Sequence, residues 1–248
     1  VNNDFSNNLG SIISIDANAM KEIGVVDTGA STQPANRYSE FDANQGPLIR
    51  LNRMDVDGSP DNATLGLEIR QGDLDTATIW DDTDIVHVVQ SGTIRNNYTQ
   101  HLFGGLKLVS DTSASLVVKM GAGAGFEIGN PDSNGDGTPD DGPLDIDDRV
   151  GSSMQIIGQP GFPVIITSLT DDEVGASLDT DGLPQTDTSA NGASSGTPGF
   201  WDEILFEKYS NDTNMPVIFE AEPQVTGGID ENSTVTPTTN TAEFIGEL

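Results

Sequence analysis

The chain has 248 residues, enough to bury a real core, yet only 34% are hydrophobic and 6% aromatic, less apolar than helical bundles and ordinary α/β enzymes usually are. Ten basic residues against 40 acidic ones give a net charge of −30, which argues against a nucleic-acid or anionic-membrane partner, since both need a cationic surface, and invites divalent cations. The absence of cysteine excludes disulfide frameworks, zinc fingers, iron–sulfur clusters and thiol catalysis.

The acids are skewed, 28 Asp to 12 Glu. Glu favours helices, whereas Asp favours turns, loops and calcium cages, so the excess points to loops and metal. The chain opens Val1-Asn2-Asn3-Asp4 with no basic start and no apolar stretch, the opening expected of a processed chain or a piece of something longer. A first β-rich run, Ile12–Ile15, leads into the best helix signal: Asp16 as N-cap, then Ala17 to Ile23, closed by Gly24. Further β-rich runs follow at Thr64–Arg70, Ile85–Val89, Gly105–Val109, Ser115–Met120 and Gly125–Ile128. Met154–Ile157, Pro163–Thr167, Glu203–Glu207 and Pro216–Glu220 complete the set. Gly, Asp, Asn or Pro bounds nearly all of them, and the pattern is that of an all-β protein. No run approaches the roughly 18 apolar residues of a membrane span.

Several runs recur at about 20 residues, near Leu67, Val86, Leu106 and Phe126, a plausible length for one coil of a parallel β-helix. The expected fold is therefore a right-handed parallel β-helix, a solenoid. The alternative is a β-sandwich, which would rather show turn signals every 8–12 residues. Residues 1–60 would lead into the solenoid, 61–220 would form it, and 221–248 would be a strand-like extension or a linker. Two inserts, at about 129–148 and 171–200, would form loops on one flank.

The first insert carries the clearest chemical signal. Asp132, Asn134 and Asp136 stand at positions 1, 3 and 5, with Gly137 at 6, as in D-x-[DN]-x-[DN]-G. That spacing turns three oxygens into one tight loop, and Gly permits the sharp bend around a calcium ion. Thr138 offers its carbonyl at position 7 and Asp140 falls at position 9. Position 12 is Pro143, so the closing glutamate of an EF-hand is missing, and Asp141, Asp145, Asp147 or Asp148 must close the shell instead. The loop looks like those of dockerin and thrombospondin type 3 repeats. In the second insert Asp179 and Asp181, with Gly182, make a half-site that Asp171 and Asp172 are placed to complete from the preceding strand. A flexible polar loop accounts for the same residues without metal.

Catalytic readings are weaker. Asp27-Thr28-Gly29-Ala30 matches the aspartic-protease signature, but a second such aspartate is absent and the chemistry needs two. The pairs Asp81/Asp82 and Asp171/Asp172 suit a polysaccharide lyase, yet basic residues to hold an anionic sugar are scattered singly. Two histidines, His87 within a valine-rich strand and His101 near a turn, give no triad spacing. No catalytic residue is expected.

The phrases Ile79-Trp-Asp-Asp-Thr-Asp-Ile-Val-His-Val-Val89, His101-Leu-Phe-Gly-Gly-Leu-Lys-Leu108, Ser115-Leu-Val-Val-Lys119 and Pro143-Leu-Asp-Ile-Asp-Asp-Arg149 carry a resemblance, continued by Ile157-Gly-Gln-Pro-Gly161, Val164 to Gly175 and Tyr209-Ser-Asn-Asp212. Together they resemble a block found in very large secreted proteins of planctomycetes and related bacteria. The resemblance spans roughly residues 40–220 and implies an extracellular, non-catalytic, solenoid-like module of a surface or matrix protein. Four sequons, at Asn62, Asn97, Asn211 and Asn232, fit that location. The expected function is a calcium-stabilised structural or adhesive protein that joins copies of itself through terminal strands. A carbohydrate-directed β-helix, touching cell-surface polysaccharide, is the alternative.

Overall fold

The structure, a computed structural model, describes residues 3–6, 8–20, 52–55, 63–74, 78–96, 105–129, 153–207, 210, 217–220 and 243–246. In chain order the strands are Asp4–Ser6 (β1), Gly10–Ile15 (β2), Arg53–Asp55 (β3), Ala63–Ile69 (β4), Gly72–Leu74 (β5) and Thr78–Trp80 (β6). Next come His87–Val89 (β7), Gly92–Asn96 (β8), Gly105–Val109 (β9), Leu116–Met120 (β10) and Ala124–Ile128 (β11). Ser153–Ile157 (β12), Val164–Ser168 (β13), Ile204–Phe206 (β14), Val217–Glu220 (β15) and Glu243–Gly246 (β16) complete them. The helix signal at Asp16 yields a single 3-10 turn, Ala17–Ala19, whose Asn18 N–H donates to the Asp16 carboxylate at 2.9 Å. The residues expected to prolong it, 21–24, lie outside the described ones.

The all-β expectation holds, and pairing within the three larger sheets is parallel throughout. The first sheet has the order β13-β10-β7-β4-β2, the second β14-β11-β8-β5, the third β12-β9-β6. From β4 onward the chain visits first, second and third sheet in the same rotation: β4-β5-β6, β7-β8-β9, β10-β11-β12, then β13-β14. A β-sandwich of the expected alternative kind would pair antiparallel strands. The antiparallel pair among the described residues is β15 with β16, opposing Ile218 to Ile245 and Phe219 to Phe244.

The three corners behave differently. Six residues link third sheet to first on each occasion, 81–86, 110–115 and 158–163. First sheet to second takes two residues (70–71 and 90–91), then three (121–123), then 35 (169–203). Second to third grows from three (75–77) to eight (97–104) to 24 (129–152). The two acidic inserts thus occupy two different corners, not one flank. The recurrence expected from Leu67 onward also holds for one step only. Leu67 pairs with His87, but His87 pairs with Val118, a much longer round. Leu106 and Phe126, read as further members of that series, lie in the third and second sheets.

Apolar side chains from all three sheets meet in one core, with Leu67, Ile69, Leu74, Trp80, Val89, Ile94, Leu106, Leu108, Leu116, Val118, Phe126 and Ile128 buried together. Successive strands contribute at alternate positions because the side-chain period of a strand is two. At the corner after β10 the chain passes so close to the previous round that a Cβ on Gly121 would collide with the Gln90 carbonyl oxygen, while its N–H donates to Val89 at 2.8 Å. Only glycine fits there.

Candidate functional site

The insert between β13 and β14 runs back over the outer face of the first sheet. Its Leu169, Val174 and Ala176 pack on Val86, Val88, Val117 and Ile165, a second apolar cluster on the side of the sheet away from the main core. Farther along, Leu65 N–H donates to the Thr188 carbonyl at 2.8 Å, and at the far end Ser177 Oγ donates to Asn52 O at 3.0 Å. Thr180 Oγ1 donates to Asp55 Oδ2 at 2.9 Å. One segment therefore bridges β13, β10, β7, β4 and the neighbourhood of β3. Within it, a Cβ on Gly175 would strike the Gln185 carbonyl oxygen, so the two legs of the insert touch backbone to backbone.

Under this strap lies Lys119. It sits on β10 with its side chain on the outer face, beside Val88 in register, and is 0% exposed. Its ammonium donates to the Thr186 carbonyl at 2.7 Å. Burial pushes its pKa down to about 8, opposed by the charges of Asp172, Asp171 and Asp187. Those three acids act through space, since no ion pair to Lys119 forms among the described residues. Their oxygens are engaged within the strap. Asp172 Oδ2 accepts from Ser194 N at 2.7 Å and Oγ at 2.8 Å, leaving Oδ1 buried without a hydrogen bond. Asp171 accepts from Thr167 Oγ1 at 2.6 Å and Glu173 N at 3.0 Å. Asp187 accepts from Gly192 N at 2.9 Å and Asn191 N at 3.3 Å.

The residues expected to bind calcium fall into two groups. Asp132, Asn134, Asp136, Thr138 and Asp140 lie outside the described residues, as do Asp27-Thr28-Gly29 and His101. Of the second group, Asp171 and Asp172 stand at the root of the strap beside Ser168 and Ser194. Asp179 and Asp181 stand at its tip near Asp55, where Asp179 Oδ1 accepts from Leu183 N at 2.7 Å. Among the described residues no group of three or more His, Asp or Glu converges as a cation site. Asp187 and Lys119 escaped the site reading. A lone lysine in the apolar run Leu116–Met120, with an Asp-rich insert to follow, was the available signal.

Trp80 to His87 form a second, interior cluster. Asp81, Asp82 and His87 are buried. His87 stacks on Trp80 with centroids 5.6 Å apart and an interplanar angle of 12°, and Trp80 tilts against Phe126 at 5.8 Å. Burial pushes the His87 pKa down to about 3, opposed weakly by the Ile85 backbone. Neither ring nitrogen makes a hydrogen bond of ordinary geometry. Trp80 is buried, and Trp201, partly buried, packs against the core. The Lys119 ammonium is thus buried beneath the strap and tied to it through Thr186.

No protein-family profile matches the chain, and no curated protein or solved structure matches it.

Proposed function

We propose that the chain is a calcium-stiffened structural or adhesive module of the extracellular space, wound as a right-handed parallel β-helix and joined end to end with copies of itself or with neighbouring modules of a large surface protein. The observation that supports this reading is the fixed rotation of the chain through three parallel sheets with a constant six-residue corner. Parallel crossover connections are overwhelmingly right-handed. Such a stack exposes strand edges at both ends, here β2 and β13 of the first sheet among the described residues, where another chain can add. The charge of −30 opposes close packing of copies unless cations screen it.

Calcium is proposed at Asp132, Asn134, Asp136 and Asp140, with the Thr138 carbonyl, on the spacing of their oxygens. Binding to the folded state alone would stabilise it by about 2.7 kcal/mol at a hundredfold excess over Kd. The test is thermal melting in millimolar calcium and in EDTA, with sedimentation in both buffers. The reading expects a higher midpoint and larger species in calcium, and expects Asp136→Ala to lose the calcium increment while melting like the parent in EDTA. Equal melting and a monomer in both buffers overturns it.

A further inference from the structure

The two ends of the core are built differently. At the N-terminal end the 3-10 turn folds over the first rounds: Ala17, Met20 and Met54 are buried, Met20 O accepts from Ile79 N at 3.2 Å, and Asn18 Nδ2 donates to Asp73 O at 2.8 Å. At the other end the rotation stops after β14, and β12 is left as the edge of the third sheet. Register identifies the residues of this last layer that share a face with the core. Val164 and Ile166 pair with Leu116 and Val118, Ile204 and Phe206 with Phe126 and Ile128, and Met154 and Ile156 with Leu106 and Leu108. Their partners one round earlier are fully buried, whereas Phe206 is 54% and Ile156 46% exposed. The interior therefore opens to water through an apolar layer.

We infer that the chain's own antiparallel pair, β15 with β16, closes this end. Three observations point to that occupant. The chain leaves β14 at the open end, and residues 207–216 separate it from β15, a tether that reaches roughly 33 Å when extended, several times the ~10 Å between packed sheets. The paired segments Val217-Ile-Phe-Glu220 and Glu243-Phe-Ile-Gly246 put five apolar residues into eight positions. A two-stranded sheet is at best marginally stable alone in water, and an antiparallel one can cover a core with one face while the other stays wet. Exposed apolar side chains on the last layer and an apolar strand pair tethered beside them answer each other, and covering the layer removes it from water.

The inference stands apart from the calcium reading, and it makes end-to-end growth at this end conditional on release of the cap. The test uses the full chain with a photoreactive benzoylphenylalanine in place of Phe206, prepared as an equal mixture of light and isotopically heavy protein. Irradiation should give adducts within one chain, mapped by mass spectrometry to residues 217–220 or 243–246. Adducts that join light to heavy chains, or that spare both strands, overturn the proposal. Phe244→Asp in the full chain should abolish those adducts and raise binding of an apolar dye severalfold. Unchanged adducts and dye binding in that variant also overturn it.

Discussion

Strands β9 and β10 are consecutive, parallel and equal in length, and each carries a lysine on its outward face, but they live in different surroundings. In β9, Leu106 and Leu108 are buried while Gly105, Lys107 and Val109 are half-buried; in β10 all five residues are buried, Lys119 included. The pairing is the same and the roof is not: the first sheet has the strap from the β13–β14 insert on its outer face. A covered outer face turns alternation into a continuous apolar run, as in fully buried parallel sheets. The second sheet shows a third treatment of the outer face. There Arg95 lies between Asp73 and Glu127 in register, 3.8 Å and 3.0 Å away, partly exposed to solvent.

The sharpest way to break this comparison is to change the charge on each outer face. Val117→Asp puts an unpaired carboxylate beneath the strap and should cost about 4 kcal/mol or more in urea denaturation, whereas Lys107→Gln should cost under about 1 kcal/mol. Similar losses at the two positions would show that the strap does not seal the first sheet.

The inner face of the first sheet gives the next largest effect. His87 titrates near 3 when folded and near 6.5 when unfolded. Between those values the unfolded chain holds the proton and the folded chain does not, so stability falls as pH drops through this window, by up to ~5 kcal/mol. His87→Phe keeps an aromatic ring against Trp80 and should flatten that limb. Parallel acid losses in the two proteins would deny His87 the role.

Lys119 sharpens the comparison at the other end of the pH scale. Its folded pKa of about 8 lies below the unfolded 10.5, so stability should rise with pH between those values as the buried charge is lost. Lys119→Met should remove the rise and leave stability at neutral pH unchanged or higher by about 1–2 kcal/mol, since relief from burying a charge offsets the lost hydrogen bond to Thr186. A variant that melts well below the parent at neutral pH would instead make the ammonium a net stabiliser. Smallest of all, Arg95→Ala on the second sheet should cost about 0.5–1 kcal/mol, an effect that shrinks in high salt. A loss beyond ~2 kcal/mol would mark that face as more than a wet surface.

Ten of the strands were legible because each overlaps a run of alternating or continuous apolar character between turn formers. β3, β5 and β6 were not, since such short strands show no period on their own, and Gly72-Asp-Leu74 carries one apolar residue. Nor was β8, where Gly92-Thr-Ile-Arg-Asn96 contributes Ile94 alone to the core cluster. The repeat misled because corners of different length separate equivalent positions, so the step from Leu67 to His87 had no successor of equal length. The site was half legible. Asp171, Asp172 and Asp179 stood out as a local excess of acid, but spacing along a chain does not show that their oxygens accept N–H groups two or four positions on, as Asp171 does from Glu173 and Asp179 from Leu183. Where the strap would travel, and that it would fold back to cover Lys119 on β10, depends on tertiary packing that no local pattern encodes.

The unequal corners also say where the molecule can accept cargo. The six-residue link is held at one length three times over, and Ser110 there ties successive links together, donating to Phe162 O at 2.5 Å and accepting from Gln159 N at 2.8 Å. The link between second and third sheets lengthens from three residues to 24 while the strands it joins keep their parallel partners. Each doubling of such a loop costs only about 0.6 kcal/mol in closure entropy. A peptide or a small folded domain spliced into 129–152 should therefore be displayed on the outside at little expense, whereas the same insertion at 110–115 should tear the stack. Variation in a lineage of such chains would collect at the link between second and third sheets and spare the six-residue link between third and first.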